Sequence, residues 1–251
     1  GATPVFTRAS GATYRYSDGY LRYAPENLLT YSEQFNTTGA WAVSNVTVTA
    51  NQATAPSGTL TADLLASNTT LGAHLVNRNS TTGSVSIVSG NAYTYSVFLK
   101  KGTGATAPDI MQLTFPAANF PTGYANFNIN TGSVLTSSAV TASIEPFADG
   151  WYRCSITATA NASSSSGVVC VIAFTNNNNS LGRAPVYADA TTSNVFIWGA
   201  QLERHSSARP YISTVANQVF GPRFEYTAPP SIEPLGLLIE EGSTNLLTYS
   251  E

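Results

Sequence analysis

Short runs in which apolar and polar residues alternate dominate the chain, each closed off by Gly, Asn, Ser or Pro. They include "NVTVTAN" (45–51), "SVSIV" (84–88), "AYTYSVFLKKG" (92–102), "YANFNINTG" (124–132), "TASIEPFADGWYRCSITATA" (141–160), "GVVCVIAF" (167–174) and "SNVFIWGAQLE" (193–203). A period of two puts successive side chains on opposite faces of a strand, and many such runs at regular spacing predict an antiparallel sandwich. Helical periodicity is nearly absent; "LTADLLAS" (60–67) alone reads as one or two turns. The predicted fold class is all-β, a jelly-roll β-sandwich.

Alternation also assigns faces. Tyr93, Tyr95, Val97 and Leu99 share one face of their strand, and Phe196, Trp198, Ala200 and Leu202 share one face of theirs, so both sets are predicted to face the core. The same phase makes Trp151 and Trp198 core residues. Asp149-Gly150 lies between two strand runs and predicts a tight hairpin, because both residues tolerate positive φ.

The two ends read differently. In "ATYRYSDGYLRYA" a hairpin about Asp18-Gly19 sets Tyr16 opposite Leu21, Tyr14 opposite Tyr23 and Arg15 opposite Arg22. An isolated ribbon with facing like charges is marginal in water, so it is expected to lie against its own sandwich, a neighbouring subunit or another protein. Residues 1–25 are therefore read as a docking arm, with Arg15, Arg22, Tyr14 and Tyr23 as its contact residues. At the other end, five prolines from Pro210 to Pro234 disfavour continuous ladders and predict an extended connector over 215–244.

Composition narrows the function. Only 10% of residues are charged and the net charge is -3, so no basic stripe is available for a phosphate backbone or an anionic bilayer. Nucleic acid and membrane are not expected partners, and neither a signal peptide nor an apolar run of the roughly 20 residues needed to span a bilayer is visible. Cys154 and Cys170 fall in phase with apolar neighbours, which favours buried free thiols over a cross-strand disulfide. No G-x-S-x-G, H-E-x-x-H or P-loop motif is present, and a non-catalytic role is expected. His74 and His205 lack ligand-like spacing and read as ordinary surface residues.

One repeat stands out. "NLLTYSE" occurs at 27–33 and again, unchanged, at 245–251. Solenoid periods run to only about 50 residues, so a tandem array of whole modules is expected, with 245–251 opening a second one. Together with "FTRASGATYRYSDGYL", "YTYSVFLKKG", "DGWYRCSITATA", "FIWGAQLE", "ARPYISTVA" and "PRFEYTAPPSIEPLGLLIEEGSTN", this ordered set resembles the modular fibre, spike and tail proteins of tailed bacteriophages over nearly the whole chain. The opening "NLL…F…W" is also similar to galactose-binding-like modules attached to polysaccharide-degrading enzymes. The chain departs from the phage pattern in one respect, since the first "NLLTYSE" directly follows the arm and the long connector lies at the far end.

The resemblance implies a carbohydrate-binding-module-like jelly roll at 26–214, assembled as a homo-oligomer on a virion and contacting other virion proteins through the arm. It also implies host attachment through surface glycan. Sugar sites need an apolar platform and many hydrogen-bonding groups. The candidates are Tyr187 with Arg183 and Asp189 in the loop "NNNNSLGRAPVYADAT", together with Tyr124 and Trp41, whose counterpart in the family is a buried lid. Of cofactors, the resemblance implies only a structural calcium ion, with Glu33, Asp63 and Glu203 as its ligands. The alternatives are a purely architectural decoration or collar protein, and a carbohydrate-binding module of a secreted polysaccharide hydrolase.

Overall fold

The computed structural model describes residues 13–15, 21–78, 85–103, 108–116, 118–165, 170–176, 178–220, 223–226 and 234–238. Its strands begin with β1 (Thr13–Arg15), β2 (Leu21–Tyr23), β3 (Glu26–Asn27), β4 (Trp41–Ser44), β5 (Val46–Thr54), β6 (Leu60–Ser67), β7 (Gly72–Ala73) and β8 (Leu75–Arg78). They continue with β9 (Ala92–Lys101), β10 (Ile110–Thr114), β11 (Tyr124–Asn128), β12 (Ser133–Ser138), β13 (Thr141–Pro146), β14 (Trp151–Thr159) and β15 (Val171–Phe174). The last are β16 (Val186–Tyr187), β17 (Asn194–Glu203), β18 (Val219–Phe220), β19 (Arg223–Tyr226) and β20 (Pro234–Leu238). Residues 26–219 form one compact unit, and residues 1–25 with 220–251 form another.

The larger unit is a jelly-roll sandwich of two six-stranded antiparallel sheets. One has the order β12-β11-β10-β15-β8-β4 and the other β13-β14-β9-β17-β6-β5. The chain stays within one sheet at β5–β6, β10–β11–β12 and β13–β14 and otherwise crosses between the two, so several neighbours within a sheet come from distant parts of the sequence. Between the sheets, Tyr93, Tyr95, Val97, Leu99, Cys154 and Ile156 of the second sheet face Met111, Leu113, Phe127, Ile172 and Phe174 of the first, all fully buried. The alternation read over 93–99 is thus the core face. Cys154 and Cys170 are buried free thiols, and burial pushes both up, Cys170 to about 12.

Several expectations change. Residues 60–67 form strand β6, not helical turns, because they pair with β17 on one side and β5 on the other. Residues 85–88 form no strand; Ile87 makes a single bridge to Ser164. In β17 the expected four-residue face is split. Val195 and Ile197 point inward while Phe196 and Trp198 point to the outer face, and a bulge between Trp198 and Gln201 returns Leu202 to the interior beside Tyr95.

That bulge contains Gly199 at φ 63, where an added Cβ would lie 3.0 Å from the Phe98 ring. Left-handed backbone costs a non-glycine residue about 1–2 kcal/mol, and the contact adds to it. Gly199→Ala is expected to lower unfolding free energy by about 2 kcal/mol in urea titrations; an unchanged midpoint would show that the bulge relaxes.

Outward-facing Trp198 joins a second, smaller core on the outside of the second sheet, with Phe98, Trp151, Ala55 and Ala62, and Phe196 and Tyr211 packed against it. Phe98 and Trp198 lie 5.2 Å apart edge-on, and Tyr211 is 4.7 Å from Trp198. The two indole N–H groups are satisfied, Trp151 Nε1 donating to the Thr54 carbonyl at 3.1 Å and Trp198 Nε1 to Thr61 Oγ1 at 3.1 Å. The hairpin lies where Asp149-Gly150 predicts it, but its turn has three residues rather than two: Pro146 is opposite Tyr152, Phe147 N donates to the Trp151 carbonyl at 2.7 Å, and Ala148–Gly150 form a 3-10 turn with Asp149 and Gly150 at φ 59 and 78.

The smaller unit pairs β1 with β2 and, separately, β19 with β20, and β1 lies against β19. In the first pair Tyr14 is opposite Arg22 and Arg15 opposite Leu21, one residue out of the expected register. Five residues separate Arg15 from Leu21, an odd number that a two-residue turn at Asp18-Gly19 does not leave, so the two arginines are not cross-strand partners. Of the connector, residues 223–226 and 234–238 form an antiparallel hairpin, with Pro234 at the first position of its strand, where a missing N–H is tolerated. The second "NLLTYSE" lies outside the described residues.

Candidate functional site

The first "NLLTYSE" closes the sandwich. Asn27 is fully buried and its amide makes four hydrogen bonds: Nδ2 donates to the carbonyls of Ala200 (3.0 Å) and Ile212 (2.8 Å), and Oδ1 accepts from the N–H groups of Leu29 (3.1 Å) and Leu202 (3.3 Å). Ser32 Oγ meets Tyr211 Oη at 2.7 Å and accepts from Thr214 N at 2.8 Å. Thr30 Oγ1 accepts from the buried Arg78 at 2.9 Å, and the Tyr31 carbonyl accepts from Trp41 Nε1 at 2.9 Å. The segment therefore clamps the 211–214 strap and β17, which accounts for the polar Asn27, Thr30 and Ser32 beside the buried Leu28 and Leu29.

The residues expected to hold calcium each accept hydrogen bonds from the protein. Glu203 is fully buried; its Oε2 accepts from Arg209 Nε at 2.6 Å, and its Oε1 from Gln201 Nε2 (2.8 Å) and Arg209 N (3.0 Å). Glu33 Oε1 accepts from Tyr211 Oη at 3.0 Å. Asp63, buried on β6, accepts from the N–H groups of Phe35 (2.9 Å) and Asn51 (3.1 Å). Among the described residues no group of three or more His, Cys, Asp or Glu side chains could hold a metal ion.

Asp63 carries a pH signature. Burial pushes its carboxyl up from 3.8 to about 6, against the pull of the Asn51 and Phe35 N–H groups, with Glu33 adding to the rise. The folded state holds this proton more tightly than the unfolded chain. Its stabilising contribution is therefore complete below about pH 4 and lost as pH rises through about 6, a change of about 3 kcal/mol. Urea unfolding at intervals between about pH 4 and 7 is expected to show that slope in the wild-type chain and not in Asp63→Asn; parallel curves would remove Asp63 as its source.

The glycan candidates divide. Arg183 is half-buried, and its Nε donates to Thr114 Oγ1 (2.7 Å) and the Phe115 carbonyl (3.0 Å); burial lowers its pKa. Asp189 is buried and accepts from Ser67 Oγ at 2.9 Å. Tyr187 is half-buried, its ring 4.6 Å from His74, and Tyr124 is buried. The expected exposed contact loop is instead a cover. Gln112 and Asn126, on the outer face of β10 and β11 and fully buried, bond to Gly182 and Ala184 and to Asn179 and Ser180. Polar residues at outward positions of "IMQLT" and "YANFN" were the sequence signal for this cover. His74 is buried, not superficial, because 74, 76 and 78 all fall on the inward face leading into β8.

Trp41, itself only 4% exposed, lies at the bottom of an open groove. The groove, of about 420 Å³, lies between edge strands β4 and β5. Trp41 and Phe35, 4.7 Å apart, form its floor; Asn36 and Thr38 are exposed at its rim and Val43 is half-exposed. A second groove of about 200 Å³, which sequence reasoning missed, crosses the outer face of β13 and β14 and includes Arg153 and Glu145. Its signal was the alternation W-R-S-T over 151–157.

No family model and no curated protein matches the sequence. Among solved structures the chain is similar to the CBM22-1–GH10 modules of the N-terminal endo-1,4-beta-D-xylanase 10B of Clostridium thermocellum, complexed with xylohexaose. The identity is 16% and the TM-score 0.36, over 76% of this chain and 30% of that one. At that level the likeness bears on neither groove. Among the described residues no helix is long and apolar enough to cross a membrane.

Proposed function

We propose that the chain is a structural attachment protein of a tailed-bacteriophage particle, a fibre, spike or collar subunit, whose sandwich meets host-surface glycan at the Trp41 groove. The ordered motifs support the virion reading, and the groove carries the glycan reading. Its volume falls within the roughly 300–1,000 Å³ of small-molecule sites, and it combines an apolar floor with an amide and a hydroxyl at the rim. The docking arm would fix the subunit to other virion proteins, and a homo-oligomer would multiply a weak single-site affinity.

The full chain is expected to bind host lipopolysaccharide or capsule. The double variant Asn36→Ala/Thr38→Ala, altered only at exposed positions, is expected to bind at least about tenfold more weakly, about 1.4 kcal/mol. Equal binding by the variant would exclude this groove. The commitment of Arg183, Tyr187 and Asp189 to internal contacts favours one other reading, an architectural subunit without a sugar ligand, and absence of binding across a broad glycan panel would select it.

A further inference from the structure

The outer face of the β13–β14 hairpin carries three cross-strand rungs in register: Thr141 with Thr157, Ser143 with Ser155, and Glu145 with Arg153. Positions two apart share a face, so all six side chains line one shelf. Ser206 and Ser207 form its wall. Nothing in the attachment reading uses this groove.

Arg153 is 7% exposed, its guanidinium 5.4 Å from the Phe98 ring centre, and its Nε and Nη2 both donate to Ser96 Oγ at 3.3 and 3.0 Å. Among the described residues its Nη1 has no acceptor. Glu203, the carboxylate acting most strongly on it, already accepts from Arg209 and Gln201. Glu145 stands opposite on the exposed edge strand, in register but not in an ion pair with it. A fixed donor and a carboxylate acceptor thus face one groove without satisfying each other.

We infer that this groove binds one neutral sugar unit through a pair of adjacent hydroxyls, one accepting from Arg153 and the other donating to Glu145. The inference takes its ligand class from the attachment reading, but its location is independent of the Trp41 groove. The arginines 153 and 209 are balanced by Glu145 and Glu203, so an acidic sugar gains nothing from the guanidinium that it does not lose to the carboxylates. At about 200 Å³ the groove is smaller than a drug-sized site, and without the aromatic platform of a strong sugar site it holds a single ring weakly, by hydrogen bonds alone. The neighbouring hydroxyls are held in place, Thr157 Oγ1 by Thr94 Oγ1 at 2.7 Å and Ser155 Oγ by the Ser143 carbonyl at 3.4 Å.

The test is backbone-amide chemical-shift mapping of the full chain titrated separately with galactose, glucose, mannose, N-acetylglucosamine and glucuronate. At least one neutral sugar is expected to shift β13, β14 and residues 206–207 with millimolar affinity, glucuronate no more tightly. Glu145→Gln, an exposed change that leaves the hairpin intact, is expected to weaken the neutral sugar by about threefold or more, because a charged acceptor becomes a neutral one. The inference is overturned by silence of β13–β14 toward all four neutral sugars, by tighter binding of glucuronate, or by unchanged affinity in Glu145→Gln. Shifts confined to the Trp41 groove would overturn it while leaving the attachment reading in place. Shifts at β13–β14 alongside equal polysaccharide binding by the Asn36/Thr38 variant would exclude the Trp41 groove and leave this inference standing.

Discussion

Glu203→Ala is expected to destabilise the sandwich by about 3–5 kcal/mol, the cost of breaking a buried ion pair from one side. The variant removes the carboxylate to which Arg209, whose side chain is only 14% exposed, donates at 2.6 Å, and the acceptor that orients the Gln201 amide. Gln201 in turn accepts from Ile212 N at 2.8 Å, so the loss spreads to the strap that "NLLTYSE" clamps. For a unit of this size the melting temperature is expected to fall by about 6–20 °C. Glu203→Gln keeps an acceptor at Oε1 and is expected to cost about 1–2 kcal/mol. Addition of a strong chelator to the wild-type chain is expected to leave its melting unchanged, because the pair is closed without an ion. A chelator-sensitive transition would instead make Glu203 a metal ligand.

Trp198→Ala is expected to cost about 3–5 kcal/mol, in the range of large aromatic deletions. Its loss empties the centre of the outer core, where Phe98 and Tyr211 meet it, and leaves Thr61 without its indole donor. Because Tyr211 holds the strap to Ser32 and Glu33, hydrogen exchange is expected to accelerate first over 209–214. The amides of β9 beside Tyr95 and Val97, under the main core, are expected to follow only at global unfolding. Exchange that rises uniformly would mean that the outer cluster is not a separate support for the strap. Trp198→Phe keeps much of the packing and is expected to cost less than half as much.

The sandwich was legible because period-two alternation is a local property of the chain. At 93–99 the inward set is the alternating set, and at Asp149-Gly150 the turn residues sit at positive φ as their types require. Legibility ended where one residue was inserted or where a distant segment decided the outcome. The Gly199 bulge reverses phase within β17, separating Phe196 and Trp198 from Leu202. "LTADLLAS" has two adjacent leucines that suit a helix, and only its two flanking strands make it β6. The "NNNNSLGRAPVYADAT" loop was read as exposed for its polarity, yet the buried amides of Gln112 and Asn126 need its carbonyls and draw it down. The same holds for the candidate site residues: the hydrogen-bond partners of Arg183, Asp189, Glu33 and Asp63 lie far along the chain, whereas Glu203 pairs with Gln201 and Arg209 close by. Arg153 and Glu145 were visible only as members of an alternation, since their meeting depends on the hairpin register. The repeated heptapeptide was the most informative stretch. In its first copy the Asn27, Thr30 and Ser32 side chains each close a specific contact.

Immunogold labelling of purified, intact particles, with an antibody raised against the full chain, tests the attachment account most directly. The account predicts label at one fixed location on the particle surface, on fibre, spike, collar or tail, with infectivity reduced by the same antibody. Particles that carry no label, with the chain recovered only among secreted polysaccharide-degrading proteins, would contradict it.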